Sequence, residues 1–139
     1  MSVTDILTEG RELAFSLMTS TVTIRRASGS TRDESTGLNV VTYDTIYDAG
    51  PARIRFVSAD PRKADAAGQR LAEQSPTVSF PITGEYAAAA ANIRVDDVGE
   101  VTANPDDPAI VGVEFRVAGE HAQTHSTARR LPVEVLSHA

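Results

Sequence analysis

Two short stretches near the end of the chain alternate apolar and polar side chains. The first runs from Val113 to Val117 and the second from Leu131 to Val135, and both have an apolar residue at every second position. Successive side chains of a strand point to opposite faces, so each stretch predicts a strand with one apolar face. We expect the two strands to lie against each other, with Val113, Phe115 and Val117 on the same face as their apolar partners.

The same period of two recurs through most of the chain. It predicts further strands around residues 21–25, 41–47, 52–56, 77–82 and 98–101. Gly50-Pro51 is expected to separate the second of these strands from the third, and Gly99 to mark a bulge. Pro76 and Pro81 suggest that the strand between them lies at an edge or contains a bulge. The segment from Ala27 to Gly37 is rich in Ser, Thr and Gly and predicts a solvated loop.

A helical period replaces the period of two over residues 1–19. Apolar residues fall three, four, seven and eight positions apart, and Ser2 or Thr4 is a suitable N-cap. The helix is expected to pack on its own domain, with docking on a neighbouring subunit as the alternative. A second, short helical turn is predicted at Ala87–Ala91. The apolar residues of the first helix are Ile6, Leu7, Leu13, Ala14, Leu17 and Met18.

The segment 58–75 fits neither period clearly. It begins with a helix-start signal at Asp60-Pro61, but Gly68 and mixed charges favour a long protruding loop with at most one helical turn. Loops of this length within a compact domain are often functional. The pattern as a whole predicts a single, mainly β domain over residues 1–139: a small β-barrel, SH3-like or OB-like, or a sandwich, with an N-terminal α-helix and a long inter-strand loop.

Composition narrows the possible functions. The formal charge of −6 argues against a broad grip on nucleic acid phosphates, although an acidic wall suits a conduit through which DNA slides. The chain has no Cys, so it offers no disulfide and no thiolate metal site. Its start lacks the features of a signal peptide, and no apolar run approaches the length of a membrane span. Synthesis in the cytoplasm is therefore expected.

Candidate chemistry is sparse. His121 and His125 lie four apart, but Ala122 stands where a zinc protease has Glu. His125-Ser126 with Asp97 or Asp107 contains the residue types of a catalytic triad, yet no Gly-x-Ser-x-Gly elbow is present. The acidic pairs at 96–97 and 106–107 are typical of turns. We therefore expect neither an enzyme nor a metal or other cofactor, and the remaining classes are binding and structural proteins.

The order of short motifs along nearly the whole chain resembles the head-to-tail stopper, or head-closure, proteins of long-tailed phages, in particular those of actinobacterial phages. The motifs are Arg11-Glu12-Leu13-Ala14, Met18 to Ile24, Gly50 to Ile54, Val78 to Pro81, Ile93 to Asp97, Asn104-Pro105-Asp106, Val111-Gly112 before Phe115-Arg116-Val117, and His125 to Val133.

This resemblance implies a β-barrel subunit of a ring in the virion, at the head-tail interface. Such a ring lies beneath the portal and adaptor and above the tail terminator or tail tube, and it retains packaged double-stranded DNA without reading its sequence. Twelve copies are expected, with six as the second choice, and no contact with a membrane. A long inter-strand loop narrows the channel in such rings. The matching gate residues here are Asp60, Arg62, Lys63, Asp65 and Arg70. The loop from Ala27 to Gly37 is the alternative for this role, or a contact to the tail or adaptor. The candidate subunit or connector interface comprises Leu13, Leu17, Arg32, Asp33, Glu34, Arg129 and Arg130.

Two alternatives to the stopper remain. A tail terminator or a connector adaptor would share the ring architecture and would differ in its position along the connector. An oligonucleotide- or oligosaccharide-binding barrel would need exposed aromatic side chains beside a positive groove. The only tyrosines are Tyr43, Tyr47 and Tyr86, and the net charge does not favour such a groove.

Overall fold

Six antiparallel strands form a sheet that closes on itself in the order β1-β2-β3-β6-β5-β4, a closed barrel. The structure is a computed structural model, and it describes residues 2–56 and 76–137. The strands are β1 Ser20–Arg32, β2 Asn39–Arg55, β3 Thr77–Phe80, β4 Val98–Ala103, β5 Glu114–Val117 and β6 Arg129–Ser137. The helices are α1 Val3–Ser16 and α2 Ala87–Ala91, and a 3-10 turn covers Pro108–Ile110. The predictions of a mainly β barrel with an N-terminal helix are confirmed.

The two alternating stretches near the end of the chain are neighbouring strands, as expected. Phe115 lies opposite Val135 and Val117 opposite Val133 across β5 and β6. Phe115 and Val117 are fully buried, and Val133 is 4% exposed. Their alternation therefore marks the face of the sheet that lines the barrel interior.

Branched aliphatic and aromatic side chains fill the barrel interior. Tyr47 and Phe80 meet edge to face with ring centroids 5.1 Å apart, and Phe56 lies 6.0 Å from Phe115. Edge-to-face packing stabilises such pairs beyond the area that they bury. The buried core comprises Val22, Ile24, Tyr47, Ala52, Val78, Phe80, Ala90, Ile93, Val101, Val113, Phe115, Val117, Leu131 and Val133.

The first hairpin is longer than predicted, and its loop is shorter than the expected segment 27–37. Residues 27–32 were expected in a loop, but they continue β1 and pair with 39–43 of β2. The turn itself is confined to the residues between Arg32 and Asn39, where Gly37 has φ 70°. Ser and Thr are compatible with strand geometry, and Ser28 Oγ hydrogen-bonds across the hairpin to the Thr42 carbonyl.

The predicted second and third strands are one continuous strand, because Gly50-Pro51 continues β2 directly after a bulge at residues 48–49 and does not form a turn between strands. The register shifts between the pairs Val22–Gly50 and Ile24–Tyr47, and Ala49 has φ 42°. The Tyr47 hydroxyl donates to the Pro51 carbonyl at 2.6 Å, and the Tyr47 ring lies against Gly50. A Cβ at position 50 would lie 2.4 Å from that ring, so glycine is required there.

Two other expectations about glycine and proline are also wrong. The register shift between β1 and β4 falls between Thr21 and Val22, not at Gly99. Gly99 instead leaves room for the core, since a Cβ there would lie 2.3 Å from Phe115. Pro76 and Pro81 flank β3, but β3 is hydrogen-bonded to β2 on one side and β6 on the other, so it is not an edge strand.

The two helices form where the sequence predicted them. Ser2 caps α1, with its hydroxyl accepting from the Asp5 amide while the Asp5 carboxylate accepts from the Ser2 amide. Residues Ala87–Ala91 form α2, and Ala90 is buried in the core. The predicted loop 58–75 lies outside the described residues.

Candidate assembly surfaces and a basic pocket

Helix α1 carries large apolar side chains that the monomer does not bury. No residue of α1 is buried, and Leu13 and Leu17 are 64% and 46% exposed. A helix turns by 100° per residue, so Ile6, Leu13 and Leu17 lie within about 40° of one another on the helix surface. Together with Val3 they form an exposed apolar stripe, which we call the helix patch. Leu13 and Leu17 were predicted as interface residues, and the structure brings them together here.

The opposite flank of this stripe holds the helix on the barrel. Leu7, Gly10, Arg11 and Ala14 are half-buried. A Cβ on Gly10 would lie 2.8 Å from the Thr127 methyl group, and Arg11 Nε donates to the Ser126 carbonyl at 3.2 Å. The stripe predicted from the sequence is thus divided, with one part packed on the chain's own barrel and the other part open.

The second exposed region is the end of the β1-β2 hairpin, residues 27–44, which we call the hairpin arm. Over these residues β1 and β2 pair with each other and, within the described residues, with no other strand. Large apolar side chains on the arm are exposed: Leu38 68%, Val40 50%, Val41 48% and Tyr43 50%. None of these four was predicted from the sequence as an interface residue. The consecutive pair Val40-Val41 was the available signal, because adjacent apolar residues must point to opposite faces of a strand.

The predicted interface residues Arg32, Asp33 and Glu34 lie together at the tip of the arm. The Asp33 carboxylate accepts hydrogen bonds from the Ser35 amide at 3.0 Å and the Ser35 hydroxyl at 2.7 Å. These bonds, above all the one from the hydroxyl, lower the pKa of Asp33 below its usual range. Asp33 therefore fixes the turn, while Glu34 is exposed.

The remaining predicted pair, Arg129 and Arg130, begins β6, far along the chain from the arm. Arg130 is exposed, whereas Arg129 is half-buried and donates to the His121 carbonyl at 3.3 Å. Arg129 lies beside Arg11 in the wall of a pocket of about 260 Å³ that also includes His121 and His125. The structure thus separates the predicted interface residues into three places: the helix patch, the arm tip and this basic pocket.

The catalytic triad considered from the sequence does not form. Ser126 is hydrogen-bonded to His121 Nε2 at 2.8 Å, and its hydroxyl donates to the Ala128 carbonyl at 3.0 Å. Asp97 lies elsewhere, with its carboxylate accepting from Arg26 at 2.8 and 2.9 Å. Asp107 caps the 3-10 turn by accepting from the Ala109 amide. Each of these groups therefore has a structural partner.

Asp97 organises the approach to β4. It is 2% exposed, and besides both Arg26 nitrogens it accepts from the Arg94 amide at 2.8 Å. The hydrogen bond to Asp97 is the main cause that raises the pKa of Arg26. In the described part of the chain, no group of three or more metal-ligating side chains comes together. Neither α1 nor α2 has the length and hydropathy needed to cross a bilayer.

The predicted gate residues Asp60, Arg62, Lys63, Asp65 and Arg70 lie outside the described residues.

A family model described as a family of unknown function, DUF6093, matches residues 10–134 of the chain. No curated protein and no solved structure matches the chain.

Proposed function

Because the chain belongs to the DUF6093 family, whose function is unknown, we propose a function from its own architecture: it is a structural subunit of a phage head-tail connector. Its copies form a stopper ring that closes the portal channel, retains the packaged DNA and provides the surface on which the tail docks. The protein acts by assembly and has no catalytic activity.

The observation that carries this proposal is the presence of two separate exposed apolar surfaces on one small barrel. The helix patch and the hairpin arm lie on different elements, and their large apolar side chains are about half exposed or more. A ring that closes by rotation uses a head-to-tail interface, so each subunit must offer two different patches. The helix patch and the arm supply such a pair.

The closed barrel directs association to these same elements. A sheet that closes on itself has no free edge, and its core is filled by side chains. The arm leaves strand edges open for strand addition, because its two strands pair only with each other among the described residues. Apolar association is available at the arm and the helix patch.

The gate is assigned to residues 58–75 on the basis of sequence. The strands on either side of this segment are neighbours in the sheet, because Arg55 of β2 pairs with Thr77 of β3. Removing residues 60–68 should therefore leave the barrel connected and folded. Particles that lack this segment should lose packaged DNA, and particles that retain it as well as the wild type would refute the gate assignment.

The assembly itself is tested by light scattering on the purified protein and by electron microscopy of portal-bearing, DNA-filled heads after its addition. A ring of twelve or six copies at the portal vertex is the expected result. A protein that remains monomeric and does not bind these heads would refute the proposal.

A matched pair of variants tests the role of the helix patch. Leu13→Asp places a charge within the patch and should abolish ring formation while leaving the monomer folded, because Leu13 is 64% exposed. Thr4→Asp adds the same charge in the first turn of α1, where the helix dipole favours it, and should leave the ring intact. Equal assembly by the two variants would exclude the patch from the interface.

Ring position separates the stopper from a tail terminator or an adaptor. A ring attached to isolated tails and absent from heads would identify a terminator, and one in direct contact with the portal would identify an adaptor.

A second candidate is a barrel that binds single-stranded nucleic acid or a glycan. It is favoured by one contact, the Arg25 guanidinium 5.1 Å above the centre of the exposed Tyr43 ring. Saturable binding of oligonucleotide or glycan that is lost in Tyr43→Ala, without any ring, would support this candidate over the stopper.

A further inference from the structure

The pocket between α1 and the start of β6 has a basic wall. It measures about 260 Å³ and is lined by Arg11, Ile82, His121, His125, Ser126 and Arg129, among others. None of its lining residues is Asp or Glu. The chain has a net charge of −6, whereas this pocket is lined by two arginines, two histidines and no acid. The charge of the pocket is therefore opposite in sign to that of the chain as a whole.

Backbone contacts hold both arginines in this wall. Arg11 Nε donates to the Ser126 carbonyl, and one terminal nitrogen of Arg129 donates to the His121 carbonyl. The Nε of Arg129 is buried and has no hydrogen-bond partner. The ion pairs of the described residues use Arg25, Arg26 and Arg116, so they leave both pocket arginines without a carboxylate.

The surroundings also favour an anion over a cation. Burial lowers the pKa of His121, and the positive charges of Arg129 and Arg130 beside the pocket lower it further. A buried guanidinium donor without an acceptor costs free energy that a bound oxyanion would recover.

We propose that this pocket is a carboxylate-binding site, and that its ligand in the assembled protein is an Asp or Glu side chain of a neighbouring copy. The identity of the ligand rests on the proposed ring. The pocket admits a side chain, and the planar fork of arginine matches a carboxylate. Two arginines supply little affinity for a DNA backbone. Acidic copies repel one another unless some of their carboxylates meet basic partners.

The site is tested in the monomer by titrating the full-length protein with acetate, followed by NMR of the arginine Nε and His121 ring signals. Saturable shifts confined to the pocket are expected. Arg11→Gln should weaken acetate binding about tenfold, because a charge-assisted hydrogen bond is lost. Arg94→Gln, a matched loss of charge at an exposed arginine outside the pocket, should bind as the wild type does.

Two further measurements keep this test independent of folding and of ligand type. Arg11→Lys retains the charge without the planar fork, and it should bind acetate with intermediate affinity. Inorganic phosphate is titrated in parallel. The absence of saturable acetate shifts, or saturation by phosphate alone, would overturn the carboxylate site.

The neighbouring copy as ligand donor is tested by light scattering on Arg11→Gln. Weaker ring formation than in Arg94→Gln is expected. Rings of normal stability in Arg11→Gln would overturn the neighbour as ligand donor. A wild type that forms no ring at all would refute both the proposed function and that donor, while saturable acetate binding would still support the site itself.

Discussion

The barrel and its two appended elements place the same residue types in opposite environments. Phe115 and Tyr47 of the barrel are fully buried, whereas Phe15 of α1 is 49% exposed and Tyr43 of the arm 50% exposed. The barrel therefore buries the large apolar side chains that point into it, whereas α1 and the arm leave theirs exposed. One part of the sequence thus specifies the fold, and the other part carries the exposed apolar groups that the proposed ring would cover.

Polar groups follow the same division. Asp97 in the barrel region is 2% exposed and accepts from Arg26, which is distant in sequence, and from the Arg94 amide. The Asp33 carboxylate in the arm accepts from the amide and the hydroxyl of Ser35, two residues away. The barrel is held by long-range bonds, and the turn of the arm by local ones. Paired substitutions in the two regions measure this contrast directly.

The largest expected effect comes from the two phenylalanines. Phe115→Ala should lower the free energy of unfolding by about 3 to 5 kcal/mol, because it leaves a cavity beside Ile24, Phe56 and Gly99. Phe15→Ala should lower it by only about 1 kcal/mol, because half of that side chain is exposed. Urea denaturation of the two monomeric variants measures both values. Equal losses would contradict the division into a self-sufficient core and an open helix.

The next effect concerns Asp97 and its neighbour. Asp97→Asn turns one of its two buried acceptors into a donor that faces other donors, and should cost about 2 to 3 kcal/mol. Asp96→Asn is the control, because Asp96 is exposed and asparagine tolerates its φ of 75°. Thermal unfolding followed by circular dichroism compares the two. A Tm for Asp97→Asn as high as that of the control would show that this long-range bond does not hold the barrel.

A smaller effect is expected for the two tyrosines. Tyr47→Phe removes the hydroxyl that donates to the Pro51 carbonyl and should cost about 1 kcal/mol. Burial raises the pKa of Tyr47, so its hydroxyl remains a donor at neutral and moderately alkaline pH. Tyr43→Phe, on the exposed arm, should be close to neutral. Hydrogen exchange of the Val22 and Gly50 amides, which belong to the residue pair beside the bulge, measures the local stability of this part of the sheet.

The sequence predicted the barrel better than it predicted the appended elements. Alternation locates β5 and β6 because each has one buried face. It fails between Ala27 and Gly37, where both faces of the arm are exposed and no burial pattern distinguishes strand from loop. It also fails at Gly50-Pro51, where the Tyr47 ring packs against Gly50 and its hydroxyl donates to the Pro51 carbonyl, so β2 continues through a bulge and does not turn.

The candidate site was predicted in part. Arg129, His121 and His125 were considered from the sequence, but the pocket also needs Arg11, more than one hundred positions away in the chain. Only the docking of α1 on the barrel brings these residues together. No periodicity within a single segment contains that information.

The smallest effect lies at the boundary between the two regions, where His121 lies beneath α1. Burial and then the positive charges of Arg129 and Arg130 lower the pKa of folded His121 below its ordinary value of 6.5. The unfolded chain therefore binds more protons between these two pKa values, and stability must rise with pH across that interval. The contribution is complete above about pH 6.5 and is lost as the pH falls toward the folded pKa.

His121→Gln should flatten this part of the stability profile, measured by urea denaturation from about pH 8 to about pH 5. His121→Gln also removes the hydrogen bond to Ser126, and this loss should lower stability by the same amount at every pH. A variant with the same slope of stability against pH as the wild type would therefore exclude His121 as the source of that slope. The same pH series is repeated with acetate present. If acetate steepens or reverses the slope of the wild-type stability profile, that slope arises from the basic pocket, and the attachment of α1 depends on the charge in this pocket.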